Sequence, residues 1–177
     1  MLGAALRLTA EVGYARCSIE GIARSAGTSK QTIYRWWPSK AAILQEAFEE
    51  ITGGELEHPD SGDVVVDFTR QMTTLAKVFT SAEIGRPFRG LIGAAQTDPD
   101  VAENLFRSLF EPRRRAAVQR LVTAQARGEI DEGPDPDVLV DLLYGPMYYR
   151  LLITQGRLGP AYVRKVVALV LGPHRPG

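Results

Sequence analysis

The sequence predicts an all-α protein. Apolar residues recur at intervals of three and four along nearly the whole chain, alternating runs are scarce, and no strand-turn-strand pattern appears. Punctuation agrees with that period: a serine, threonine or aspartate precedes most apolar stripes, and glycine or proline follows many of them.

The elements follow in order. Leu2, Ala5, Leu6 and Thr9 form one stripe of a first helix that ends near Val12-Gly13, where Gly13 suits a left-handed cap. Because Met1 already lies inside this periodic pattern, a preceding arm is expected to be missing from the chain. Ser18 caps a second helix that buries Ile19, Ile22, Ala23 and Ala26 before Gly27 stops it. A third helix starts at Thr28, whose hydroxyl can cap it with Gln31 completing a capping box, and it ends at Trp37 because Pro38 disfavours helix in the residue before it. Ser39 caps a fourth helix from Lys40 to about Ile51.

The Gly-, Pro- and acid-rich stretch Thr52 to Asp63 reads as a loop and sets the domain boundary, dividing the chain into 1–51 and 52–177. Five further helical stretches are expected, at about Val64 to Thr80, Glu83 to Gln96, Asp98 to Arg127, Asp135 to Gln155 and Pro160 to Leu171. Asp98-Pro99 and Asp135-Pro136 each place an acid at the cap and proline at the first helical position. Pro112 removes an amide donor in mid-pattern, so a kink or break is expected near Phe110.

Composition narrows the function classes. The 177 residues are 45% hydrophobic and 24% charged, which is enough for a sizeable core. No run approaches the roughly 18 apolar residues a membrane helix needs, and the start has no signal-peptide pattern, which makes the cytoplasm the expected compartment. Cys17 is the single cysteine and reads as a buried apolar side chain. His58 and His174 stand in a loop and in the tail, no serine or cysteine sits beside a base, and the acids are scattered, so neither an enzyme nor a metal or cofactor site is expected. Net charge is zero, but through Lys40 six basic residues against two acidic ones leave +4, with −4 on the remainder. A basic head on an acidic body suits a protein that offers one end to phosphate.

The informative stretch is SIEGIARSAGTSKQTIYRWWPSK, Ser18 to Lys40. Two short helices around a turn with Gly27 pack steeply and leave the second free to enter a major groove, which is a helix-turn-helix. Ile33 and Trp37 face the core with Ile19 and Ile22, while Ser29, Lys30, Gln31, Tyr34 and Arg35 spread over the outer faces. Lys30 can donate to guanine and Gln31 can bond adenine, whereas Tyr34 and Trp36 suit phosphate or sugar. Lys40, at the start of the fourth helix, can meet a phosphate.

The segment GYARCSIEGIARSAGTSKQTIYRWWPSK closely resembles the DNA-binding region of TetR-type transcriptional regulators, without a gap from Gly13 to Lys40. The resemblance implies three N-terminal helices for DNA followed by a larger helical domain that binds a ligand and dimerises. It assigns Ser18, Tyr34, Trp36 and Lys40 to phosphate and Thr28, Ser29, Lys30 and Gln31 to the groove-reading end. Trp36-Trp37 departs from the family, where a smaller aromatic or His and then Phe is usual, and the family's basic N-terminal arm is absent.

In the second block, RPFRGLIGAAQTDPDVAENLF, RRRAAVQRLVTAQARGEI and LLYGPMYYRLLITQG resemble the family's C-terminal domains. From the family, about 135–155 and 160–171 should form a four-helix homodimer interface. Val138, Leu139, Leu142, Leu143, Met147 and Leu151 nearly surround their helix, which a monomer's surface would not tolerate. Phe68, Met72, Phe88 and Phe106, with Phe110, Tyr144, Met147 and Tyr148, can line an apolar cavity for a small-molecule effector of unknown identity. Arg113 to Arg115 reads as a solvated or acid-paired run. The expected function is a ligand-responsive repressor that binds a near-palindromic double-stranded operator as a homodimer. The alternatives are an interaction module of the same fold without DNA binding, or an enzyme using the C-terminal pocket.

Overall fold

The computed structural model describes residues 1–53 and 59–175. These residues contain helices and no strand. They form two compact units, one of residues 1–53 with Phe79–Phe110 and one of residues 59–78 with 111–175. His58, read from sequence as a loop residue, lies outside the described residues.

In the first unit, α1 (Leu2–Val12) buries Ala4, Ala5, Leu6 and Thr9 and ends where the Gly13 amide donates to Thr9 O at 2.9 Å. Gly13 has the positive φ expected of it, but with an extended ψ of 157° in place of a left-handed cap. The side chain of Ser18 accepts the Gly21 amide at 3.1 Å and starts α2 (Ile19–Ser25). Gly27 then turns the chain at φ +65°, a conformation that costs glycine nothing. The cap of α3 (Lys30–Trp36) is Ser29, which accepts the Thr32 amide at 3.1 Å, and not Thr28. Thr28 still belongs to the turn that closes α2, its amide donating to Ala23 O at 3.0 Å, so the cap falls to Ser29 and Gln31 moves to the second helical position, where it cannot complete the expected box. Ser39 caps α4 (Lys40–Thr52) through the Ala42 amide at 3.2 Å.

Behind these helices α6 (Gly85–Ala95) packs on α1 and α4, and α7 (Pro99–Leu105) packs on α4 and α6. Arg86 of α6 donates through Nη1 to the carbonyls of Ala10 at 2.6 Å and Glu11 at 2.9 Å, which satisfies the open end of α1. Phe88 lies at the centre of an aromatic cluster with Phe79, Phe48 and Phe110 at ring separations of 4.9, 5.4 and 6.4 Å. The break expected near Phe110 is a π-helical turn, Phe106–Phe110, which ends just before Pro112. A proline cannot donate to the carbonyl four residues earlier, and widening the preceding turn accommodates that loss.

The second unit holds most of α5 (Val64–Thr80), then α8 (Glu111–Ala126), α9 (Pro136–Tyr148) and α10 (Pro160–Leu171). Its core includes Phe68, Met72, Leu121, Leu143, Met147 and Val163, each 0% exposed. The helix expected to run to Gln155 instead changes character after Pro146 and ends in a second π-helical segment, Tyr149–Thr154. Pro146 itself is accommodated within α9, and the π-helical segment begins three residues beyond it. Arg120 is buried and makes two hydrogen bonds to Asp67 Oδ2, at 2.9 and 2.7 Å, and one to Glu129 Oε2 at 2.7 Å. Burial works against its charge, and the bonds it donates to Glu129 and Asp67 outweigh that, raising the pKa of the guanidinium above its ordinary value.

Candidate nucleic-acid interface

The geometry of α3 separates two faces. Ile33 is fully buried and Trp37 nearly so, and the Trp37 indole N–H donates to Glu46 Oε2 of α4 at 2.7 Å. With one face of a seven-residue helix thus anchored, Lys30, Gln31, Tyr34, Arg35 and Trp36 are all left exposed, Tyr34 at 55% and Trp36 at 69%. Two large aromatic side chains standing in water beside two cations are unusual for a surface that meets only solvent. Ser29 is exposed as well, but its hydroxyl is engaged by the Thr32 amide and lies 3.0 Å from the Thr32 hydroxyl. Thr28 is half-buried. Trp36 also borders a cleft of about 570 Å³ shared with Pro38, Glu46, Glu49 and Arg107.

Ser18 and Lys40 flank this helix in sequence and have local work of their own. Ser18 is exposed and caps α2. Lys40 is half-buried; its ammonium donates to the Tyr14 carbonyl at 2.7 Å and the Cys17 carbonyl at 2.9 Å, which leaves one of its three N–H groups uncommitted to these carbonyls. Tyr14 is the residue that sequence reasoning did not place in the site. It is fixed by a close approach of α6, since a Cβ on Gly90 would fall 2.5 Å from the Tyr14 Cβ. Glu20 was also not anticipated: its carboxylate forms an ion pair with Lys30, and this bond, with a contribution from the Ser18 hydroxyl, holds it below the usual carboxylate range.

The residues expected to line a cavity divide between the two units. Phe88, Phe106 and Phe110 belong to the first, where Phe88 and Phe110 join the aromatic cluster and Phe106 is 50% exposed. Phe68, Met72, Tyr144, Met147 and Tyr148 belong to the second. There the Tyr144 hydroxyl donates to the Gln71 side-chain carbonyl at 2.7 Å, and burial pushes the phenols of Tyr144 and Tyr148 well up, with Arg113 opposing the rise at Tyr148. Arg114 of the basic run pairs with Asp137 at 3.0 Å and Asp141 at 2.5 Å. Among the described residues no group of His, Cys, Asp and Glu is arranged to hold a metal, and no helix is long and apolar enough to cross a membrane.

Residues 1–47 match the family described as bacterial regulatory proteins, tetR family, and residues 58–170 match the tetracyclin repressor-like C-terminal domain. The HTH-type transcriptional regulator YdeS of Bacillus subtilis (strain 168) is 40% identical over 167 residues, covering 94% of this chain and 84% of that protein. The DNA-binding transcriptional repressor TetR of Mycobacteroides abscessus is 28% identical over 174 residues, covering 97% of this chain and 90% of that one. The crystal structure of the TetR family transcription regulator SCO0332 superposes with a TM-score of 0.80 at 38% identity, over 99% of this chain and 96% of that one. The chain therefore belongs to the tetR family of bacterial regulatory proteins, and it is a DNA-binding transcriptional regulator, not an enzyme.

Proposed function

We propose that the protein is a homodimeric repressor whose α3 enters the major groove of each half of a near-palindromic operator. The observation that carries this is the division of α3 into an anchored face, Ile33 and Trp37, and an exposed face, Lys30, Gln31, Tyr34, Arg35 and Trp36. In this reading Thr28, Ser29, Lys30 and Gln31 form the groove-reading end. Ser18, Tyr34, Trp36 and the remaining N–H of Lys40 hold phosphate, and Arg35 adds positive charge. A bacterial operator places this work in the cytoplasm. Residues 1–51 form the DNA-binding domain, and 52–177 serve ligand binding and dimerisation.

Dimerisation through about 135–155 and 160–171 is supported by apolar side chains left in water. Leu139, Leu143, Met147 and Leu151 are buried, yet Val138, Leu142 (51% exposed), Tyr149 and Ile153 stand exposed on the same stretch, as does Leu169 on α10. A monomer would hold that surface at a cost, and a second copy would cover it. A small-molecule effector contacting residues among Phe68, Met72, Tyr144, Met147 and Tyr148 of the second unit shifts the dimer to a state that does not fit the operator. Moving a 1:99 mixture to 99:1 requires roughly 5.5 kcal/mol of preference.

The test is a pair of contrasting variants in a duplex-binding assay at several salt concentrations. Tyr34→Phe combined with Lys40→Ala weakens binding to every sequence and flattens the salt dependence, while Gln31→Ala spares non-specific binding. Unchanged DNA affinity in all of these variants contradicts the docking.

A further inference from the structure

Resting on the reading of α3 as the groove-reading helix, we infer that Glu20 of α2 determines base specificity together with Lys30, the two side chains acting as one donor-acceptor unit that selects a G·C pair. The pair joins residues on either side of the turn, α2 supplying the carboxylate and α3 the ammonium. It is not a buried structural bridge: Lys30 keeps 51% and Glu20 50% of its side chain exposed. Packing does not require it either, since α2 is held by Ile19, Ile22 and Ala23 and α3 by Ile33, all buried.

A carboxylate at a DNA-facing surface is costly unless it meets a donor, because the phosphates repel it. The donors a major groove offers are base amino groups, and the cytosine N4 amino group is the usual partner of Glu, as guanine O6 and N7 are of Lys. In a G·C pair the guanine acceptors and the cytosine donor lie side by side, which matches an ammonium and a carboxylate already held side by side. The carboxylate stays ionised down to low pH because Lys30, its own amide and the Ser18 hydroxyl bond to it, so it accepts and does not donate throughout the physiological range. The ion pair also restrains Lys30 from seizing a phosphate at every sequence. Glu20 thereby lowers non-specific affinity and raises the contrast between operator and random DNA.

The experiment uses the full chain and duplexes selected from random sequence with the wild-type protein, compared with a random duplex of equal length. Glu20→Gln keeps the size of the side chain and removes its charge. It is expected to tighten random-duplex binding several-fold and to steepen the dependence of log K on log salt by roughly one unit per protomer, as Lys30 gains a phosphate. The operator-to-random ratio falls about ten-fold, with the lost preference confined to one G·C pair in each half-site. Lys30→Met abolishes preference at that same pair. If Glu20→Gln leaves ratio and salt slope unchanged while Gln31→Ala shifts base preference, the Glu20 role is wrong and the α3 reading stands. If neither variant moves base preference, the α3 reading fails and the inference falls with it. Thermal unfolding of Glu20→Gln should match the wild type, since both partners are half-exposed.

Discussion

The Lys40 ammonium donates to the Tyr14 carbonyl at 2.7 Å and lies 4.4 Å from the centre of the Tyr14 ring. One side chain at the start of α4 thus closes the connection between α1 and α2, bonding Cys17 O as well, and holds the helix-turn-helix on its support. The family resemblance had assigned Lys40 to phosphate alone. In the proposed docking a phosphate would draw on the remaining N–H group, so the two duties would be separable.

Lys40→Met removes two hydrogen bonds donated by a charged group to backbone carbonyls, and a cation-π contact. The expected cost is about 1–2 kcal/mol of unfolding free energy, reduced from the fully buried case because the ammonium is partly solvated. Urea denaturation measures it. A variant that loses DNA affinity without losing stability would mean that Lys40 serves phosphate only.

Gln31→Ala should relax preference at one base pair per half-site, by about 1–3 kcal/mol, and leave the salt slope as it was. Gln31 is exposed on α3, and its side chain contributes nothing to the α3 cap, which Ser29 supplies. Competition binding with single-base operator variants gives the position. A uniform loss over all sequences would reassign Gln31 to the backbone.

Arg120→Ala should destabilise the second unit by about 3–5 kcal/mol, because it leaves the buried Asp67 carboxylate with Ser61 as its remaining donor and no cation, and leaves Glu129 with only the looser Arg127 pair. Arg127→Ala, which breaks a solvent-exposed pair with Asp60, should cost far less. Chemical denaturation of the two variants under one condition measures the contrast. Equal effects would contradict the difference in burial.

Leu142→Glu should give monomers in analytical ultracentrifugation while the far-ultraviolet helical signal persists. Its side chain is half exposed, whereas neighbouring Leu143 is fully buried and Leu143→Glu should unfold the unit. A Leu142→Glu protein that sediments as a dimer would place the interface elsewhere.

The elements were legible where their signals are local. Ser18, Ser39, Asp98 and Asp135 are caps because a short polar side chain precedes an apolar stripe, and each accepts a backbone amide as expected. Ile19, Ile22, Ile33 and Trp37 were legible as core from spacing alone. Thr28 and Ser29 could not be told apart by a rule that looks only for a hydroxyl. The π-helical segment Tyr149–Thr154 was not legible, because the apolar run continues through it without a break in period.

The candidate site was legible in its composition and illegible in its pairings. Lys30, Gln31 and Tyr34 stand at positions fixed by α3 itself. The Glu20–Lys30 pair depends on how steeply α2 and α3 cross, and the Lys40–Tyr14 contact spans 26 residues. Arg120 and Asp67 are 53 residues apart, and nothing in either local sequence names the other. Periodicity locates faces, whereas ion pairs between faces require the tertiary fold.

The measurement that tests the central claim most directly is selection of duplexes from random sequence by the full-length protein, with binding of the winners followed across salt concentrations. Enrichment of a near-palindrome, bound with a steep salt dependence and with preference lost at defined base pairs when α3 is altered, is the expected result. Winners with no palindromic relation between their halves would contradict a homodimer reading its operator through α3.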